Sequence, residues 1–434
     1  MNRIILIGNG FDLAHGLPTR YEDFIDWYLE QRLQGFAKNK TCVDSDALFS
    51  LKIEKGFSLG KGTIINSCLD YFQYFKEQLE DVSRPNLFLE LVDGDELCVG
   101  SMSLFFRNIC HSIETKKWVD IENEYYRLLI QCVVENKSIG CTVRDLNKQL
   151  SCLQAYLVKY LYRCMKYADK NENIKDFIYE PIQANDVAVD GRGKLVEYFQ
   201  YWLGQEVNIW KEKMEDYGFG NEKINDALGW RRDLIEYENN KVHEESDIDT
   251  LTRYNGYFPH TGLFPDNILF LNFNYTVNAE QYFIRNKARF KFNYIHRRLD
   301  NANGIIFGYG DELDERYNKL LELNDNECLR YVKSFKYLES NDYRGVLSFI
   351  EKAPYQVYIM GHSCGNSDRT LLNTLFEHRN CVSIKPFYYK KDDGTDNYMD
   401  LVQNISRNFT NMKLMRDRVV NKTFCSPIPQ NEKR

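Results

Sequence analysis

The sequence predicts an α/β protein: a Rossmann-like, mainly parallel sheet interrupted by a large all-helical insertion. Three observations lead there. The chain opens on a short β-branched run ended by glycines, RIILI at Arg3 to Ile7, the pattern of a strand buried on both faces. Beyond about residue 266, the strand-like runs NILFLNFNYT, KFNYI, GIIFGYG, YQVYIMG and CVSIKPFYY are separated in several places by amphipathic stretches such as ERYNKLLEL, LLNTLFEHR and MDLVQNISRNF. Strand and helix in alternation build an open parallel sheet covered by helices. Between about 60 and 240, apolar residues instead recur every three or four positions, the helical period.

The first helix is expected over Tyr21 to Leu33, where Tyr21, Phe24, Ile25, Trp27, Tyr28 and Leu33 share a face. The stretches KGTIINSCLDYFQYFKEQLEDV, WVDIENEYYRLLIQCVV, VRDLNKQLSCLQAYLVKYLYRCM and GKLVEYFQYWLGQEVNIWKEKMEDY each read as one uninterrupted helix, with no proline inside any of them. Polar or glycine-bearing joins fall near 137–140 and 171–192. The opening strand belongs with the late ones. The expected organisation is therefore a discontinuous nucleotide-binding domain over 1–40 and 265–424, an insertion over 41–264, and a disordered tail over 425–434.

A chain of 434 residues exceeds the usual size of one domain, which agrees with two folding units. Its net charge of -7 exerts no global pull on nucleic acid or anionic membrane, so nucleic acid is not the favoured partner and no membrane is expected. The 12 cysteines form no C-x-x-C pair and no Cys/His cluster at zinc spacing, so neither a disulfide framework nor a metal is expected. No secretory signal is expected, and no 18-residue apolar span is read in the sequence. These features point to a reducing cytoplasm.

Gly8, Gly10 and Gly16 stand in G-N-G-F-D-L-A-H-G-L-P, directly after a strand and before a helix. Glycines there permit a tight bend and close approach of a pyrophosphate to backbone N–H groups. The spacing is not G-x-G-x-x-G and no P-loop lysine follows, so a purely structural turn has even odds. Asn274 in L-N-F-N-Y-T ends an apolar strand, where open α/β sheets put their ligands. Asn272 lies two residues earlier and points to the same side. The bland reading of both is a loop held by amide bonds to backbone. His296 closes the next strand; a lone histidine is more often structural than catalytic, but its position at a strand end improves the odds. Arg285, Lys287, Arg289, Lys291, Arg297 and Arg298 form an acid-free basic stretch, read equally well as a solvated face or as attraction for an anion.

Taken together, these blocks resemble the AbiH abortive-infection family, itself similar to sirtuin-like NAD-binding proteins. The residues carrying the resemblance are G-N-G-F-D-L-A-H-G-L-P-T at Gly8 to Thr19, W-V-D-I-E at Trp118 to Glu122 and N-F-N-Y-T at Asn272 to Thr276. They continue with Ile295-His296, G-I-I-F-G-Y-G-D at Gly304 to Asp311, and G-H-S-C-G-N-S-D at Gly361 to Asp368. The resemblance implies a sirtuin-like fold and a phage-defence effector that hydrolyses NAD to nicotinamide and ADP-ribose. It makes Asn274 and His296 catalytic, one placing water and the other facing the ribose. It further implies ligand contacts from Gly8, Asn9, Gly10, Phe11, Asp12, His15, Gly16, Pro18, Asn272, Tyr275, Gly308, Gly310, Asp311, Gly361, His362, Ser363 and Asp368. NAD enters as substrate or ligand and no cofactor is expected. Two positions depart from the sirtuin-like pattern: Asp12 stands where a small hydroxyl residue is usual, and Arg297 replaces the glycine of a His-Gly pair. The four-cysteine zinc module of deacetylating sirtuins is missing, so lysine deacetylation is not expected.

Three rivals remain at this stage. One is a nucleotide-sensing module that works with a partner effector; the expected partners are a second copy of the chain or a defence-system protein. Another is a metal-dependent nuclease, for which the acids after G-Y-G are the only candidates and read better as a helix start. The third is an esterase, because Gly361 to Gly365 satisfies G-x-S-x-G. That mechanism needs a downstream histidine, and His378 follows Ser363 too closely. Asp120 and Glu122 at the start of a helix are read as charges complementing its dipole, with a lid over the pocket as the other possibility.

Overall fold

A computed structural model describes residues 1–38, 43–53, 57–59, 63–65, 98–116, 119–135, 140–165, 169–216, 263–283, 289–301 and 303–431. The fold is α/β around one five-stranded sheet. Its strands are β1 (Asn2–Ile7), β7 (Asn267–Asn272), β8 (Arg289–Tyr294), β9 (Tyr355–Met360) and β10 (Cys381–Phe387), and every neighbouring pair is parallel. Read from one edge the order is β8-β7-β1-β9-β10. That is the 3-2-1-4-5 order of the dinucleotide-binding sheet, with its switch point between β1 and β9.

Alternation along β1, β7 and β9 sends residues into a core on each side of the sheet. Ile4, Leu6, Leu269, Leu271, Val357 and Ile359 enter one core, while Ile5, Ile7, Ile268, Phe270, Tyr358 and Met360 enter the other. A strand covered on both faces has no polar alternation, which is why RIILI and NILFL read as continuous apolar runs. The third core lies beneath helices Tyr21–Lys38, Leu104–Lys116, Ile121–Val133 and Val143–Cys164. Thr142 and Asp145 close a reciprocal capping box on the last of these, a contribution of about 1 kcal/mol.

Packing contacts cross the boundaries expected between the two units. The helix Tyr21–Lys38 joins the insertion's core, as do Leu299, Ile305, Phe307 and Tyr309 from the sheet-bearing half. In the opposite sense, Ile174 and Ile178 pack on the sheet, and Ile182, Ala184 and Val187 pack with Met1 and Val382. The insertion is also not all helical. β2 (Val43–Ser45), β3 (Phe49–Ile53) and β6 (Cys98–Met102) form a small antiparallel sheet, and β4 (Phe57–Leu59) pairs with β5 (Thr63–Ile65). The expected helix from Lys61 begins instead with this last strand, whose consecutive β-branched residues lose side-chain freedom in a helix; residues 66–97 lie outside the described residues.

Two further expectations change. GIIFGYG is not a strand but an extended loop whose one ladder contact joins Tyr309 to Val332. The tail is ordered through Asn431: Ile428 is buried and donates to Tyr388, and Asn431 donates to the Ala14 carbonyl. No helix among the described residues is long and apolar enough to cross a membrane.

Candidate functional site

Four loops leave the carboxyl ends of β1, β7, β8 and β9, and the sequence blocks meet there. At the switch point, Gly8 and Gly10 press backbone to backbone on the turn after β9. A Cβ on Gly8 would lie 2.4 Å from the His362 Cα, and one on Gly361 would lie 2.0 Å from the Phe11 nitrogen. Gly361 also has φ of +77°, a region glycine enters without steric cost. The expected cradle donors are engaged by protein carbonyls: Gly8 N–H by Met360, Gly10 N–H by Gly361, and Phe11 N–H by Gly8. These glycines therefore serve the contact between two turns as well as the bend. Asn9, Gly16 and Pro18 are exposed; Thr19 donates to the Asn9 side chain and Tyr160 donates to the Pro18 carbonyl.

Several predicted contact residues hold the loops together. Asp12 accepts from Thr276 Oγ1 at 2.7 Å and Asn278 Nδ2 at 3.1 Å. Burial pushes its carboxyl up to about 6, against the lowering effect of those bonds and of Asn274. His15 bridges the Phe11 carbonyl and the Tyr282 hydroxyl, and Phe11 packs against both rings. Asn272 accepts from the Asn274 N–H and donates to the Thr276 carbonyl, while Asn274 Nδ2 donates to the Gly8 carbonyl at 2.9 Å. The Asn pair thus fastens the β7 loop to the β1 turn, and the Tyr275 hydroxyl donates to Ile306.

A buried charged cluster lies beside these loops. Lys333, 1% exposed, reaches Glu122 Oε2 at 2.9 Å and Asp368 Oδ1 at 2.8 Å. Asp368 Oδ1 is also 3.1 Å from His296 Nε2, and its Oδ2 is 3.6 Å from His362 Nε2. The other oxygen of Glu122 accepts the Gly308 N–H at 2.8 Å. His296 is further bracketed by the Phe273 carbonyl on Nδ1 and the Tyr337 hydroxyl on Nε2. Two buried carboxylates share one lysine, and their protonation divides accordingly. Burial would raise Asp368, but Lys333 and His296 outweigh it and hold it well below the usual range. Burial and the charges of Asp368 and Asp120 push Glu122 up to about 7, against the pull of Lys333. Burial, then the Lys333 charge, depress His296, while the two carboxylates keep Lys333 protonated despite its burial.

The G-I-I-F-G-Y-G-D loop makes this cluster possible. Gly308 has φ of +155° and passes so close to Tyr331 that an added Cβ would sit 2.0 Å from its carbonyl oxygen. This approach delivers the N–H that Glu122 accepts. Gly310 runs beside Lys333 and the Ser367 carbonyl. Asp311 is buried, accepts from Leu313 N–H and lies 3.3 Å from Arg369. Tyr309 stacks on Tyr126 with centroids 3.7 Å apart.

Arg297, the departure from His-Gly, occupies the left-handed region at φ of +66°. The backbone keeps a path that glycine favours, and the guanidinium is taken up by Glu339 at 2.7 Å. Arg298 pairs with Glu280 and Asp300, so the basic stretch does not form one anion-facing surface from these two; Arg285 and Lys287 lie outside the described residues. The esterase geometry is missing. Ser363 is exposed, the non-glycine residue of its turn with left-handed backbone is the buried Cys364, and His362 Nδ1 accepts the Cys364 N–H. His378 pairs with Glu351 near Tyr355, where β9 begins, at the other end of the strand.

Sequence reasoning overlooked Lys333, which sits in an unremarkable YVKSFKY, and Tyr337. It assigned Glu122 to the helix dipole. Asp120 does cap that helix, accepting from Asn123 N–H, but Glu122 turns inward. The proximity of W-V-D-I-E to the other blocks was legible only in the resemblance.

Fold and site together define a Rossmann-like α/β protein with a buried acid–base cluster at the carboxyl end of its sheet. The chain belongs to the bacteriophage abortive infection AbiH family, whose model matches residues 4–390. No curated protein and no solved structure matches it.

Proposed function

We propose that this protein acts in phage defence by hydrolysing the nicotinamide–ribose bond of NAD or a closely related nucleotide at the carboxyl end of its sheet. The observation that carries the reading is the convergence of the family's dispersed blocks on one buried cluster beside the switch point of a dinucleotide-type strand order. Ligands of open α/β sheets bind in that position. In the reaction, water adds to C1′ as the bond to the nicotinamide nitrogen breaks. The ring leaves with that electron pair as neutral nicotinamide, and one proton passes from water to a base. Groups that hold water and accept a proton near neutrality suit this chemistry, and Asn274 and His296 are the candidates the resemblance supplies.

The Arg297 departure from the His-Gly pair supports a second reading, in which the site senses a nucleotide and a partner responds. The test is NAD consumption by purified protein, with nicotinamide and ADP-ribose quantified, beside Asn274→Ala and His296→Ala and an EDTA control. Turnover that is lost in the variants and indifferent to EDTA supports hydrolysis at this site. Tight NAD or ADP-ribose binding without turnover supports the sensor. EDTA-sensitive cleavage of nucleic acid supports a nuclease instead.

A further inference from the structure

Resting on the hydrolase reading above, we infer that Glu122, brought to the sheet by the insertion, is the general base of this site, with His296, Asp368 and Lys333 positioning it. His296 has no ring nitrogen left for a substrate. Its Nδ1 faces the Phe273 carbonyl, its Nε2 faces Asp368 and the Tyr337 hydroxyl, and the residue is 4% exposed. Asp368 Oδ1 is taken by Lys333 and His296, and as the counter-ion of Lys333 its carboxyl is held well below the range of a group that exchanges a proton near neutrality. Glu122 differs: one carboxylate oxygen accepts from Gly308 N–H and the other from Lys333, and a carboxylate oxygen has two lone pairs. Acceptor capacity for a water therefore remains.

The surroundings of Glu122 suit a group that gains and loses a proton. Asp120, Tyr21 and Tyr275 lie near it: burial raises both phenols, and the Glu122 charge adds to that shift. These phenols stay neutral hydrogen-bonding groups at neutral pH. Asp368 keeps its negative charge and holds Lys333 in place, so Lys333 meets Glu122 as a fixed cation. The Gly308 N–H orients the second oxygen. In the step inferred, water donates its proton to Glu122 as its oxygen bonds to C1′, and the C–N electron pair leaves with nicotinamide. Glu122 afterwards releases the proton to solvent.

The experiment compares wild type, Glu122→Gln and His296→Gln for NAD turnover against pH, with ADP-ribose affinity measured on each as a check on the folded pocket. Loss of a general base is expected to lower turnover by about 10²-fold or more. Glu122→Gln should do so with unchanged ADP-ribose affinity, and should abolish the rise in rate through neutrality. His296→Gln should turn over more slowly yet keep a rising limb. A limb that survives in Glu122→Gln and disappears in His296→Gln overturns the assignment. If wild type leaves NAD intact, the hydrolase reading fails by itself. The infrared difference between wild type and Glu122→Gln then decides: a protonated carboxyl band titrating near neutrality sustains Glu122 as the proton-exchanging group, and its absence overturns it.

Discussion

Lys333 and Glu122 stand 211 positions apart in the chain, and Lys333 Nζ donates to Glu122 Oε2 at 2.9 Å inside the protein. The contact joins the insertion to the segment that connects β8 and β9. It also leaves Lys333 holding two carboxylates at once, since Asp368 Oδ1 lies 2.8 Å from the same nitrogen.

Removing that cation strands two buried acids. Lys333→Met should cost about 3–5 kcal/mol, the usual penalty for breaking a buried pair from one side. Adding Glu122→Gln should recover part of the loss, because one stranded charge is gone, so the two substitutions will not add. Urea unfolding of the single and double variants measures both effects. A Lys333→Met protein with an unchanged midpoint would mean that water already screens the cluster.

The junction of the two glycine turns predicts a contrast between positions with similar φ. Gly361→Ala drives a Cβ to within 2.0 Å of the Phe11 nitrogen, and the backbone must move to relieve it, at a cost of about 4 kcal/mol or more. Gly16 has φ of +79° but open space around its Cα, so Gly16→Ala should cost only the left-handed strain, about 1 kcal/mol. Thermal unfolding of the two variants separates contact from conformation; equal losses would refute the junction.

Asp12 should make stability pH-dependent in the sense opposite to a salt-bridged carboxylate. Its folded pKa, pushed up to about 6 by burial, exceeds the unfolded value near 3.9. The folded state binds the proton more tightly, so the added stability is fully present below the unfolded pKa and is lost as pH rises through about 6. The shift corresponds to about 3 kcal/mol. Asp12→Asn cannot titrate. Its stability relative to wild type should therefore improve by roughly that amount between about pH 4 and pH 6. Denaturation of both proteins across that interval tests it; parallel curves would show that Asp12 is charged throughout.

The sequence by itself determined the elements whose burial leaves a periodic trace. β1, β7, β9 and β10 were visible because strands covered on both sides are largely apolar, β8 because Phe290 and Phe292 alternate with Arg289 and Lys291, and the helices Ile121–Val133 and Val143–Cys164 because one face of each must be apolar. It also located Gly8, Asn274, His296 and Gly361 at strand ends. It did not reveal that Asn272, Asn274, Asp12 and His15 bond chiefly to protein, since an amide or carboxylate at a strand end looks the same whichever partner it finds. The short strands β2, β3 and β6 were hidden by their length and by the helical periods around them. Arg297 gave no sign of its left-handed backbone, because nothing in an arginine's identity announces a positive φ.

Only the tertiary structure decided the site's electrostatics. Strand order sets Asp368 and His296 near each other, the helix Ile121–Val133 adds Glu122, and the connection between β8 and β9 returns with Lys333. Each is an ordinary charged residue in its own segment. Their protonation follows from burial together with charged neighbours about 3 Å away, and sequence does not encode those distances locally.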